Sequence, residues 1–328
     1  MKRRRIITGA LAATIQPFSH DALAQDPRRI VRKVGVLAPS TRAKEEATLA
    51  PFYDEMRRIG WIEGGSIEYD RAYGDDRAEV LTRATAELVA RAPQVIYAPP
   101  QSAAVAARAA TRTIPIVFAT GSDPIGAGLV ASLARPGGNV TGIVTIADSL
   151  GPKRLDLVRE ALPAARRIGY IGDRRDPRAN FDLAAIRAVA PDIGFTMIVA
   201  EGSNPAQTEA ALTRLLAQKV DVILIGSTLA NNVAAHLAAL ASTHGVPVVA
   251  TRSQPVEDGA LFAYGGALDD QLRRSAHLVD KVLNGVQPAD IPVEQPNRFE
   301  LVVNRRVAAA LGIALPPAFL LRVDRVIE

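Results

Sequence analysis

Hydroxyls, amides and a few charges recur just beyond short apolar runs, a placement suited to holding a small polar solute. In the first half these are Ser40 and Thr41, then Gln101 and Ser102, then Ser122 and Asp123. In the second half they are Asp173, Ser227, Thr228, Arg252 and Tyr264. Ser40, Ser102 and Ser122 offer hydroxyls beside backbone N–H groups, which together hold a carboxylate. Asp123 or Asp173 suits an ammonium, and Arg252 carries a fork for an anionic group. Tyr264 suits the wall of a pocket for a ring. Each also has a plainer use. Ser40, Ser102 and Thr228 suit helix N-caps. Asp123 precedes Pro124 and suits a turn. Arg252 also suits a bridge between lobes, and Tyr264 packing at a hinge.

The residue types that carry covalent or metal chemistry are sparse. There is no cysteine, so disulfides, thiolate metal sites and cysteine nucleophiles are excluded, as is lipid attachment through an N-terminal cysteine. Beyond the leader only His236, His244 and His277 are histidines, placed on or at the ends of expected helices. No GxSxG elbow, HExxH pair or Walker sequence occurs, and Gly126 and Gly128 complete no dinucleotide fingerprint. Binding without turnover is the expectation, with no cofactor and no metal.

Site residues placed after apolar runs imply an α/β scaffold, and the chain reads that way. Expected strands are 33–39, 66–72, 94–99, 114–120 and 139–145, then 167–173, 195–200, 221–226, 246–251 and 260–265. Expected helices between them are 43–59, 76–91, 102–112, 152–161, 178–190, 205–218 and 230–243. Several runs, such as VIY at 95–97 and VILI at 222–225, are continuously apolar, as in parallel strands covered by helices on both faces. The order strand, polar turn, alanine-rich helix, Pro-led strand appears at 94–124 and again at 221–255. Pro115 and Pro247 open matching strands, and Ala119-Thr120 matches Ala250-Thr251. A period near 130 residues means two copies of one domain. Each copy is expected to be a doubly wound, Rossmann-like sheet whose ligands sit beyond the carboxyl ends of its strands.

A length of 328 residues suits two such lobes. The N-terminus reads MKRRRIITGALAATIQPFSHDALAQ. Its basic head, short apolar stretch and Ala22-Leu23-Ala24 triplet fit a secretory signal over 1–24, and the arginines before Ile6 also fit the twin-arginine route. With Lys2, Arg3, Arg4, Arg5 and Asp21 in that leader, the formal charge drops from +5 to +2. The remaining basic residues are interleaved with acids, which leaves no stripe for nucleic acid.

The most specific stretches are TIPIVFATGSDPIGAGLVASLARPGGNVTGIVT with LGPKRLDLVREALPAARRIGYIGD, and the tail from GALFAYGG to RVDRVIE. They resemble the substrate-binding proteins of tryptophan/tyrosine-type ABC transporters, over essentially the whole chain. The resemblance implies a type I periplasmic binding protein: two lobes, three crossing strands and a hinge. It implies one lobe of 30–147 with about 268–296, another of 148–267 with about 297–328, and a ligand cleft between them. It also implies a monomer in the periplasm that delivers an amino acid to an ABC permease and its ATPase subunit. Aromatic amino acids are favoured by the resemblance, and small organic or aromatic carboxylic acids are the alternative, as is a receptor partner. The chain departs from the family's usual pattern at Pro99-Pro100-Gln101-Ser102, at 173–177 and at Ser227-Thr228, so the ligand is less fixed than the scaffold.

Overall fold

A strand covered on both faces must be apolar on both, and RKVGVLA meets that demand: Val34 and Val36 enter one buried cluster while Leu37 enters another. The computed structural model describes residues 31–121, 123–144, 150–175, 177–226, 233–295 and 298–328. The expected leader, 1–24, lies outside the described residues. Val31–Glu328 forms one compact unit containing two sheets.

The first sheet collects β1 (Arg32–Ala38), β2 (Ile67–Tyr73), β3 (Val95–Tyr97), β4 (Ile116–Gly121) and β5 (Val140–Val144), all parallel, in the order β2-β1-β3-β4-β5. Its intervening helices are α1 (Arg42–Arg58), α2 (Ala78–Ala90) and α3 (Gln101–Ala110). At Gly142, in β5, a Cβ would lie 2.2 Å from the Phe118 carbonyl oxygen, so only glycine fits that approach to β4.

The second lobe opens with α4 (Gly151–Ala161), then β6 (Arg167–Gly172), α5 (Pro177–Val189), β7 (Thr196–Glu201), α6 (Pro205–Ala217) and β8 (Val222–Ile225). It continues with α7 (Ala234–Thr243), β9 (Val248–Ala250), α8 (Gln254–Glu257) and β10 (Phe262–Gly266). The chain then enters α9 (Leu268–Leu283) and returns as β11 (Phe299–Asn304), α10 (Arg305–Ala310), α11 (Pro317–Leu320) and β12 (Arg325–Ile327). The seven-stranded order is β12-β11-β10-β9-β8-β6-β7. From β6 to β10 it repeats the order of the first sheet, so the duplication read in the sequence is also a duplication of topology. The ten expected strands overlap β1 to β10. β11 and β12 extend the copy, and β11 runs antiparallel to β10, an exception to the expected parallel arrangement.

Three passages of chain join the sheets: one after Val144, one through Ala267, and one after Gln295. The first leaves the carboxyl end of β5. The second leaves the carboxyl end of β10. The third runs beside β5, where Ile143 bridges Glu294 in parallel and the Val144 N–H donates to the Glu294 carbonyl at 2.8 Å. It enters β11 opposite Gly266, because Phe299 pairs with that residue. Among the described residues, all three passages therefore leave or enter a sheet at its carboxyl edge.

α9 follows β10 of the second sheet in sequence yet packs on the first sheet. Leu272, Ala276, Val279 and Leu283 enter the cluster that holds Val34, Phe52 and Tyr97. Ser275 donates to the Leu272 carbonyl at 2.7 Å, and the Tyr97 hydroxyl donates to Ser275 at 2.8 Å. The Phe52 and Tyr97 rings stack beneath it at 3.8 Å. Trp61 Nε1 donates to Asp280 at 2.9 Å. Arg274 of α9 reaches Glu294 at 2.6 Å and so grips the third passage as well.

Two charge pairs give these packings a measurable signature. Between α4 and α5, Arg154 Nη2 meets Asp182 Oδ1 at 2.5 Å with both side chains buried. Removing one partner strands a charge in the core, so Asp182→Ala costs about 3–5 kcal/mol in urea unfolding, whereas an apolar pair at both positions costs far less. At the α1–α9 seam, two hydrogen bonds from Arg58, opposed by burial and helped by His277 at 2.8 Å, hold the Glu55 carboxyl at about 2 rather than 4.5. A depressed carboxyl contributes stability above its unfolded value and loses it as pH falls through its folded value. The wild type should therefore outlast Glu55→Gln by about 1 kcal/mol near neutrality, and the two should converge between pH 4.5 and about 2.

Candidate functional site

In a parallel sheet that winds outward in both directions from its first strand, the loops after the first and third strands part company and leave a crevice. In the first sheet those loops follow β1 and β3 and carry Ser40, Thr41, Gln101 and Ser102. In the second they follow β6 and β8 and carry Asp173, with Ser227 and Thr228 outside the described residues. Asp123 and Arg252 follow the fourth strand of each copy, and Tyr264 lies within the fifth strand of the second. Ser122 lies outside the described residues.

In the first lobe, Thr41 rather than Ser40 is the N-cap of α1, and it makes no side-chain cap bond. Pro100 is the N-cap of α3, so Ser102 is no cap either, and it is exposed. Ser40 is buried, with its Oγ unpartnered. Its backbone is fixed on both sides. Its carbonyl accepts from Asp75 at 3.2 Å, and its N–H bonds the carboxyl of Glu45, which burial pushes above the ordinary value. Gln101 and Asp123 are brought together: the amide oxygen accepts the Asp123 N–H at 2.9 Å. Asp123 Oδ1 in turn accepts from the Gly126 N–H at 2.8 Å, which shapes the turn after β4.

In the second lobe the loop after β6 is built around Asp173. Its Oδ1 accepts the Arg175 N–H at 2.9 Å, and the Arg175 guanidinium closes on both oxygens, with Nη2 to Oδ2 at 2.8 Å. That fork holds the carboxyl below its usual range against the opposing effect of burial. Beside it a cavity of about 800 Å³ opens at the carboxyl ends of β6 and β7, lined among others by Arg174, Glu201, Ser203 and Arg214. Arg174 and Glu201 are 3.5 Å apart, and Arg214 donates to the Glu201 carbonyl at 3.4 Å. The wall carries Arg174, Arg175 and Arg214 against Asp173 and Glu201, a surplus of positive charge. Arg252 and Tyr264 are half-buried, and Tyr264 packs toward Phe299 of β11 with ring centroids 6.2 Å apart.

Three positions at this edge escaped the sequence reading: Glu45, Thr251 and Glu300. Thr251 is buried with an unpartnered hydroxyl. Glu300 sits opposite Gly265 on β11, its carboxyl raised by burial and bonded by Ser253. Among the described residues no group of His, Asp and Glu is placed to hold a metal. No helix among them is long and apolar enough to cross a membrane.

Residues 33–327 match the family described as ABC transporter substrate binding protein. The chain belongs to that family. As a substrate-binding protein it is not an enzyme. A curated relative, the tyrosine-binding protein of Clostridioides difficile, is 27% identical over 264 residues, spanning 80% of this chain and 75% of the relative. A conserved domain protein of Vibrio cholerae is 28% identical, with a TM-score of 0.78 over 90% of this chain and 100% of the other. An ABC domain of Streptococcus pneumoniae crystallised with L-Trp superposes with a TM-score of 0.79 over 91% of this chain and 100% of its own at 23% identity, a likeness of fold. The fold of this substrate-binding protein is that of type I periplasmic binding proteins: two α/β lobes, each built on a mainly parallel sheet.

The Asp173–Arg175 fork is directly testable. Arg175→Ala removes the guanidinium, so the Asp173 carboxyl titrates upward toward its ordinary 3.8 when followed by carboxyl NMR. An unchanged titration would show that the loop, not the fork, sets it.

Proposed function

We propose that this protein is the periplasmic solute-binding component of an ABC importer, which closes two lobes over an amino-acid-sized ligand and delivers it to a permease. The observation that carries this reading is the topological duplication with all three chain passages at the carboxyl edges. That arrangement directs both sets of ligand-binding loops to one crevice. One lobe would comprise 30–147 with about 268–296, the other 148–267 with about 297–328, and 1–24 would be the export signal. Export and a periplasmic site are supported by the basic, small-residue leader.

Closure follows from population shift. Open and closed arrangements exchange by bending at the three passages, and a ligand that touches both lobes stabilises the closed one. Ser40, Thr41, Gln101, Ser102, Ser122 and Asp123 would serve from one side. Asp173, Ser227, Thr228, Arg252 and Tyr264 would serve from the other. A micromolar dissociation constant corresponds to about −8 kcal/mol, within reach of a few charge-assisted hydrogen bonds and one apolar pocket. The closed monomer then docks on a permease whose ATPase subunit supplies the work of opening it.

Aromatic amino acids are the favoured ligands, supported by the tyrosine-binding relative and by L-Trp in the Streptococcus structure. A second reading, small organic or aromatic carboxylic acids, is favoured by one observation: Arg175 already occupies Asp173, and the neighbouring wall carries surplus arginine. A thermal-shift and calorimetry panel of the twenty amino acids and a set of aromatic and aliphatic acids decides between them. A true ligand at a hundredfold its dissociation constant stabilises the protein by about 2.7 kcal/mol, a shift of several degrees. Shifts with acids alone select the second reading, and silence across the panel contradicts both.

A further inference from the structure

Thr251 follows β9 directly, 6% exposed, and its Oγ1 has no hydrogen-bond partner. Buried hydroxyls are almost always satisfied, so one left unpaired calls for a reason. The neighbouring hydroxyl does not share this state, since Ser253 bonds the carboxyl of Glu300. Valine would fill the same volume at Thr251 with no polar atom to satisfy, so folding gives no account of the oxygen.

The position is fixed and lies beside a passage between the lobes. A Cβ on Gly265 would fall 1.9 Å from the Thr251 carbonyl oxygen, so the backbone of Thr251 is pressed against β10. β10 continues through Gly266 and Ala267 into α9 on the other sheet. Across the molecule, Ser40 stands at the carboxyl end of β1 with the same two properties, buried at 5% and unpartnered at Oγ. Among the described residues, each lobe thus keeps an unsatisfied hydroxyl at the carboxyl edge of its sheet.

We propose that Thr251 is a ligand-contacting, specificity-determining residue whose hydroxyl donates to a carboxylate oxygen of the bound solute, as the second-lobe counterpart of Ser40. The inference rests on the solute-binding reading above. The adjoining Arg252 adds positive charge where that carboxylate arrives. Oγ1 is shut off from water in this conformation, so the solute reaches it as the passage beside Ala267 bends.

Calorimetry and melting of the wild type, Thr251→Val and Thr251→Ser test this, with L-tyrosine, L-tryptophan and 3-(4-hydroxyphenyl)propanoate as probes. Ligand-free Thr251→Val should melt at or above the wild type, because it sheds an unsatisfied polar atom. Its affinity should fall about tenfold or more, while Thr251→Ser stays within about threefold. Wild-type binding with an undiminished affinity in Thr251→Val would overturn the proposal alone, as would a lower melting temperature for the ligand-free valine variant. No binding by the wild type of these probes or of any member of the wider panel of amino acids and acids would overturn the solute-binding reading, and this proposal with it.

Discussion

The fold depends on one packing event: α9, inserted between two strands of the second sheet, must bury its apolar face on the first. Leu272, Ala276, Val279 and Leu283 supply the area, at roughly 25 cal/mol for each Å² removed from water. Tyr97 and Ser275 supply the register by a buried hydrogen bond. Once α9 is docked, β10 and the return into β11 are tied to the first lobe, and Arg274 holds Glu294 beside β5. The three passages therefore stay together at one edge.

The loops at the carboxyl edges of the two sheets are chemically unequal. The first lobe presents hydroxyls, backbone amides and a locally spent carboxylate, since Asp123 is engaged in its own turn. The second presents charge already in balance, with Asp173 held by Arg175 while Arg174 and Glu201 face one another. Of these, only Arg174 with Glu201 is exposed on both sides, and such a pair holds together weakly. Unsatisfied buried hydroxyls at Ser40 and Thr251 have the opposite character, a standing penalty that only a new partner removes.

Much of this was legible in the residue pattern. Continuous apolar runs such as VILI marked buried parallel strands, and the Pro-led repeat marked the duplication, because both depend on local composition. Loops after strands marked where polar residues gather. The rest depended on contacts distant in sequence. Nothing local in FELVVN indicates that it runs antiparallel to β10, since that follows from α9 docking elsewhere. Ser40 and Ser102 read as caps because their types suit caps, yet the N-cap positions fall to Thr41 and Pro100. The engagement of Asp173 by Arg175, two residues away, was within reach of the sequence. The orphaned hydroxyl of Thr251 was not, because an absent partner is a property of the packed chain alone.

In the reading proposed above, the lobes are tied at one edge yet free to close there. The chain has no cysteine, so spin labels attach only where a cysteine is introduced. Ala109→Cys on α3 and Ala217→Cys on α6, both exposed, place one label on each lobe. Pulsed electron–electron distance measurement should give a broad distribution for the ligand-free protein, which narrows and moves by several Å when a stabilising solute is added. An identical distribution with and without a solute that calorimetry shows to be bound would contradict closure as the binding event.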